Sequence, residues 1–379
     1  MFTKNARQIE RAFIRKAIKT DKVITLKGKD NYIFAINSSY VTLQTENGRK
    51  PFGIARKAIR KAINFLLDCK TITRRQLQRF SNFTSALLAI LMTAFQGKVI
   101  VKGGKNGEAR ISLTVIRLYA SGLERDPYIR NVLKKLGGKH LLLNYYHIRG
   151  NKNWKRILDD FHCIIDSGAF SIFKTKQKQK KEVSNQLELF DFEEVEMISL
   201  EEYASFINNE CHDTRIKAFI NLDVIGDPIQ TKTNYERLKH LCPAATIWPV
   251  WQFSDSFESL QELVEQEPDV ICIGGIVPEM NKNKGTVKEK LDRLFNQFPG
   301  VNFHCLGLAN RWLWEYKFFS FDTTAFLNSR KSKKQRKIYN DKTGERLMAP
   351  AMMSTLSIIT QNLESLLKLE NLQEKLLQI

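Results

Sequence analysis

Little in this chain of 379 residues points to a membrane, a disulfide framework or a metal. No run approaches the roughly 18 apolar residues that a spanning helix needs. The best candidate, residues 86–94, is too short and lies among basic segments. The first residues, Met1-Phe-Thr-Lys4, lack the apolar core of a signal peptide. Six cysteines (Cys69, Cys163, Cys211, Cys242, Cys272, Cys305) are scattered without a C-x-x-C pair. That spacing argues against disulfide staples and structural zinc alike, and a cytoplasmic protein is expected. The six histidines (His140, His147, His162, His212, His240, His304) show no ligand spacing, so no metal is expected, and no cofactor is indicated. The turn Gly103-Gly-Lys-Asn-Gly107 is not a P-loop, because no Gly-Lys-Ser/Thr follows it. With 43% hydrophobic and 26% charged residues, general disorder is excluded.

Acidic residues are scarce in one region only. Residues 1–110 hold 23 Lys and Arg against 6 Asp and Glu, a net +17, out of +20 for the whole chain. A field of that sign attracts polyanions, with an affinity that falls steeply with salt. Nucleic acid is the expected partner.

Within this basic third, Ile54, Ala58, Ile59, Ala62, Ile63, Leu66 and Leu67 recur at helical spacing, with Arg56, Lys57, Arg60 and Lys61 on the other face. Thr73 is placed to cap a short helix over 74–80, and a third helix is expected over 84–95. Strands at 98–102 and 109–113 around the Gly/Asn turn make a hairpin. Three helices and a basic hairpin suggest a winged helix-turn-helix-like module, with Arg74, Arg75, Lys102 and Lys105 facing nucleic acid. The third helix (Thr84, Ser85, Ala86, Leu87, Leu88, Ala89) has little with which to read base edges, so phosphate-led binding is favoured. Before it, a basic amphipathic helix over 9–18 and strands at 22–26 and 32–36 have no evident role.

The rest of the chain alternates short apolar runs with helical stretches. Strands are expected near 115–120, 140–146, 162–165, 218–222, 246–251, 270–273, 302–306 and 317–321. Eight such strands alternating with helices suggest an α/β fold, a (β/α)8 TIM-like barrel. The expected division is 1–110 for the basic module and 111–379 for the barrel. The latter carries a mobile insertion at 173–198, ended by a capping box Ser199-x-x-Glu202, and a C-terminal helix over about 351–377. The strand ends are polar: Asp166-Ser167-Gly168, Asn221-Leu-Asp223, Trp251-Gln252, Gly274-Gly275, Gly307 and Asp322-Thr-Thr324. In a barrel these ends converge on one mouth, where catalytic groups sit.

Asp166-Ser-Gly-Ala-Phe170 resembles the Asp-Ser-Gly-Gly-Phe/Tyr motif of tRNA-guanine transglycosylases. Asn-Leu-Asp223, Val-Trp-Gln252, Ile-Gly274-Gly275-Ile, His-Cys-Leu-Gly307 and Phe321-Asp322 resemble that family's later segments in the same order, over about residues 114–330. The C-x-C-x-x-C…His zinc site of the tRNA enzymes has no counterpart here. Leu118-Tyr-Ala-Ser-Gly122 and Leu142-Leu-Asn-Tyr-Tyr146 look more like the phage and bacterial DNA-directed members, which exchange guanine in DNA for a 7-deazaguanine. The resemblance implies Asp322 as nucleophile at C1′ and Asp166 as general acid/base. Asp223 would accept hydrogen bonds from the guanine N1–H and amino group, and Gln252 and the N–H of Gly275 would bind its O6 side. Ser167, Gly168, Gly274 and Gly307 would complete the base pocket. Tyr119, Phe170 and Trp251 are candidates to stack on the base, a role that competes with plain core packing.

Arg330-Lys331-Ser-Lys333-Lys334-Gln-Arg336-Lys337 follows the nucleophile segment and suits phosphates beside it. In the insertion, Gln186-Leu187-Glu-Leu189-Phe190 has the pattern of peptides that bind the bacterial sliding clamp. The alternatives to a DNA-guanine transglycosylase are a tRNA-directed enzyme, a DNA glycosylase that lets water finish the reaction, and a non-catalytic DNA-binding protein.

Overall fold

The computed structural model describes residues 4–48, 50–96, 98–103, 109–113, 116–169 and 198–375. The chain divides into two compact units, Met1–Val115 with Asn371–Ile379, and Ile116–Glu370. The boundary falls at 115 and not 110, because the strand Ala109–Leu113 pairs with two others of the first unit.

The first unit opens with α1 (Lys4–Thr20), which buries Phe13 and Ala17 and exposes Arg11, Arg15 and Lys19. Four antiparallel strands follow in chain order: β1 (Lys22–Ile24), β2 (Asp30–Ile36), β3 (Tyr40–Thr45) and β4 (Phe52–Ala55). The first two match the expected strands; β3 and β4 lie in a stretch whose period-2 signal is short. Next come α2 (Arg56–Cys69), β5 (Thr71–Thr73), a 3-10 turn (Gln76–Arg79), α3 (Thr84–Ala94), β6 (Val99–Gly103) and β7 (Ala109–Leu113), with the strands in the order β5-β7-β6. Thr73 and Gln76 cap one another reciprocally: the Thr73 N–H donates to Gln76 Oε1 (2.9 Å) and the Gln76 N–H to Thr73 Oγ1 (3.2 Å). Glu10, buried in α1, accepts hydrogen bonds from Arg56 and Arg60 and so ties α1 to α2. Ala86 to Leu91 of α3 are all buried, as its almost wholly apolar sequence demands.

The second unit is built on a nine-stranded parallel sheet: β8 (Leu118–Ser121), β9 (His140–Asn144), β10 (His162–Asp166), β11 (Ile216–Ile220), β12 (Ile247–Trp248), β13 (Val250–Gln252), β14 (Ile271–Gly274), β15 (Phe303–Cys305) and β16 (Ser320–Thr323). Their order is β12-β11-β10-β9-β8-β16-β15-β14-β13. The two ends of that order are separated in the chain by Pro249 alone. The Trp248 carbonyl accepts from Asn221 on one side, and the Pro249 carbonyl from Cys272 on the other. Proline has no N–H to continue the first ladder, and the chain changes partners there. The result is a nearly closed, TIM-like barrel in which residues 247–252 act as one broken strand.

Strand alternation sorts the core. Tyr119, Leu142, Ile164, Ile220, Trp248 and Cys272 fill the barrel interior, while Leu141, Cys163, Ile165, Phe219, Ile273 and Phe321 face the surrounding helices. Full burial of one such aliphatic or aromatic side chain contributes roughly 1.5–3 kcal/mol. The helix at Leu200–Glu210 begins at Ser199, whose hydroxyl accepts from the Glu202 N–H (3.0 Å); the Glu202 carboxylate does not close the expected box but accepts from the Tyr145 hydroxyl (2.7 Å). The last helix runs Thr355–Lys375, and a hairpin, Lys337–Tyr339 with Arg346–Met348, precedes it. No described helix is long and apolar enough to cross a membrane.

Candidate active site

Parallel strands bring their C-terminal ends to one mouth. Asp166 ends β10, and the Gly168 N–H donates to its Oδ2 at 3.0 Å. Gly168 has φ +94°, and a Cβ there would lie 2.5 Å from Asn144 Oδ1 and 2.7 Å from Tyr146 Cβ. Only glycine allows the turn that offers this N–H. Asp223 follows β11, in a segment held by two side-chain amides. Asn221 donates to the Thr231 carbonyl and Asn234 to the Leu222 carbonyl, both at 2.8 Å. Asp322 lies within β16, accepts from the Gly307 N–H at 2.8 Å, and is 7% exposed.

Asp166 feels the other two carboxylates. Burial pushes Asp166 up to about 8, and the charges of Asp223 and Asp322 add to that effect. Asp223 is raised to about 6 by burial. Both side chains keep some surface at the mouth, but the protein packed around their carboxylates sets the direction. At neutral pH Asp166 therefore holds a proton that it can give, while Asp223 is chiefly ionised.

Glycines shape the floor. A Cβ on Gly274 would lie 3.0 Å from Val250 Cγ1 and 3.7 Å from Asp223 Oδ2, so its absence leaves space beside that carboxylate. Gly275, at φ +78°, turns the chain out of β14 with its backbone exposed. The Ser167 hydroxyl is fully buried and has no hydrogen-bond partner among the described residues.

Two expected roles meet other facts. Gln252 is buried with its amide engaged: Oε1 accepts from the Gly226 N–H, and Nε2 donates to the Val224 carbonyl and Thr231 Oγ1. It fastens the loop after Asp223. Trp251 points away from the mouth, donates to the Ser256 carbonyl at 3.0 Å and packs on Phe253 and Phe257. Tyr119 lies inside the barrel against His140, Trp248 and His304. Neither ring is a stacking surface for a base.

Two residues near the mouth had been given no role from the sequence. His304, fully buried, sits with Nε2 3.6 Å from Asp322 Oδ1 and Nδ1 2.8 Å from Ser320 Oγ. When Ser320 donates to Nδ1, the imidazole proton on Nε2 faces Asp322. Glu124, 9% exposed, accepts from the Asn144 N–H at 2.9 Å, and its charge reaches Asp166. Its signal was its place just past Leu118-Tyr-Ala-Ser-Gly122. Among the described residues no group of three His, Cys, Asp or Glu is arranged to hold a metal ion.

No family model and no curated protein matches the chain. The geometry therefore stands by itself. Of the basic run, Arg330 is paired with Asp126 (2.6 Å), Lys331 donates to Asn328, and Arg336 bonds the Met353 carbonyl. Lys333, Lys334 and Lys337 are exposed. Arg74 and Arg75 are exposed on the first unit, and Lys102 stands on β6 opposite Arg110. Phe170, Lys105, Gln186, Leu187, Leu189 and Phe190 lie outside the described residues. Two surface cavities, of about 740 and 660 Å³, are lined by none of the three aspartates.

Proposed function

We propose that the protein is a DNA-guanine transglycosylase that exchanges guanine for a 7-deazaguanine through a covalent aspartyl-glycosyl intermediate. The observation that carries this reading is the trio Asp166, Asp223 and Asp322 at one barrel mouth, with a protonated Asp166 beside two further carboxylates. In this reading Asp322 attacks C1′, the C1′–N9 bond breaks, and Asp166 protonates the departing guanine. The entering base then gives its N9 proton to Asp166, and N9 displaces the Asp322 ester oxygen from C1′. This is the double displacement of retaining glycosidases, with a deazapurine base in place of water. Asp223 and the N–H of Gly275 suit the two sides of a guanine edge, and Gln252 keeps the Asp223 loop in position. A target inside a duplex must leave the stack first.

For the basic unit, the order helix, strand, short helix, helix and hairpin, with strands β5-β7-β6, supports a winged-helix-like module. Burial of α3 fits backbone contact by exposed groups such as Arg74 and Arg75, and not insertion of that helix into a groove.

Nucleoside mass spectrometry of DNA and tRNA from cells expressing the protein tests the assignment. A 7-deazaguanine deoxynucleoside, absent from cells carrying Asp322→Asn, is expected. Modified tRNA with unmodified DNA would move the substrate to RNA. No change in either would remove the activity.

A further inference from the structure

The four-stranded sheet of the first unit has one packed face and one open face. Val23, Val41, Leu43 and Ile54 are buried, with Ile33 and Ile36 packed beside them. Their alternate neighbours point out: Tyr32 is 40% exposed, Phe34 62%, Tyr40 48% and Ile24 48%. A bulge between Ile33 and Ala35 breaks the β2–β3 register and turns Phe34 and Ala35 to the open side together. On the neighbouring strand Gly53 makes room for Tyr40, since a Cβ there would lie 3.2 Å from its ring. Three aromatic rings thus stand on one open sheet surface.

Their setting is cationic. Lys27 and Lys29 are exposed on the turn between β1 and β2, and Lys50 before β4. Lys22 is paired with Asp30 at 2.7 Å, and the other acids near these strands are Asp21, before β1, and Glu46, after β3. With a net +17 on residues 1–110, two copies of this surface repel each other. A polyanion that carries its own flat apolar groups does not.

We propose that this face binds single-stranded DNA, with bases stacked on Tyr32, Phe34 and Tyr40 and phosphates near Lys27 and Lys29. Rings and cations so combined are the means by which open strands are held without sequence preference. The inference rests on the nucleic-acid reading of the basic unit. It adds a role in keeping a strand open, which an enzyme acting on an unstacked base requires.

The test is fluorescence anisotropy of a labelled oligothymidine with the full-length protein at several salt concentrations. The triple variant Tyr32→Ala/Phe34→Ala/Tyr40→Ala should weaken binding by roughly 5- to 100-fold per base released, with the slope of log K against log salt unchanged. Lys27→Gln/Lys29→Gln should flatten that slope instead. Phe34→Trp, which keeps a ring, should retain the affinity, and circular dichroism should be native for all three. Unaltered oligothymidine affinity in the triple variant would overturn the inference while leaving duplex binding to stand. An altered sedimentation mass with unaltered oligothymidine affinity would make the face a protein contact, and tighter binding of oligouridine would reject DNA as its occupant. If the wild type bound neither duplex nor single strand, the nucleic-acid reading of the whole unit would fall with it.

Discussion

The two units handle charge in opposite ways. The first scatters unbalanced positive charge over its surface and buries one acid, Glu10, against two arginines. The second is nearly neutral in total, yet gathers three carboxylates where burial forces one of them to keep its proton. Exposed charge attracts at a distance and is screened by salt; crowded, desolvated charge does chemistry at one spot. A unit's net charge therefore says little about where its reactive groups lie.

The sharpest way to break this comparison is to change one unit and read the other. If Asp322 is the nucleophile proposed above, Asp322→Asn should lower the exchange of labelled guanine by about a thousandfold or more. Its affinity for DNA should stay within about twofold of wild type. Conversely, Arg74→Gln/Arg75→Gln should leave the turnover of saturated enzyme intact. It should weaken DNA binding and reduce the salt slope by about one for each phosphate left without its arginine.

A pH profile sharpens the second half of the comparison. The profile of kcat/KM should be bell-shaped. On the proposed chemistry it should rise near pH 6, as Asp223 becomes the anion that would accept from guanine, and fall near pH 8, as Asp166 loses the proton it would give. Asp166→Asn should remove the alkaline limb along with most of the activity.

A further effect is on stability. Folded Asp166 keeps its proton to about pH 8, whereas the unfolded chain releases it near 3.8. Across that window the native state binds more protons than the unfolded one, so wild-type stability falls as pH rises. Asp166→Asn should therefore melt above wild type, by a margin that grows up to about pH 8 and then stays constant. A margin independent of pH would show that Asp166 is ionised throughout.

Much of this architecture was legible beforehand. Strands such as His162–Asp166 and Ile271–Gly274 are β-branched or aliphatic runs between helices, and their polar last residues stand out against them. The caps at Thr73 and Ser199 were equally plain, because a cap is a local hydrogen bond between residues three apart, whereas the Glu202 carboxylate was drawn away from its box by Tyr145. Strands β3 and β4 were not, since their partners lie on other strands and nothing local distinguishes them from a loop. Nor was the exposed ring face, which depends on a bulge that no residue type announces.

Composition and order alone determined the charge asymmetry, the alternation of strand and helix, and the sequence of polar strand ends. Those properties follow from local periodicity and simple counting. Tertiary structure decided what surrounds each of those ends. It faced Trp251 outward, committed the Gln252 amide to the loop after Asp223, set His304 beneath Asp322 and raised Asp166 to about 8. Each outcome depends on what packs from distant parts of the chain, because burial and the fields of neighbouring charges are properties of a place in the fold and not of a residue in a string.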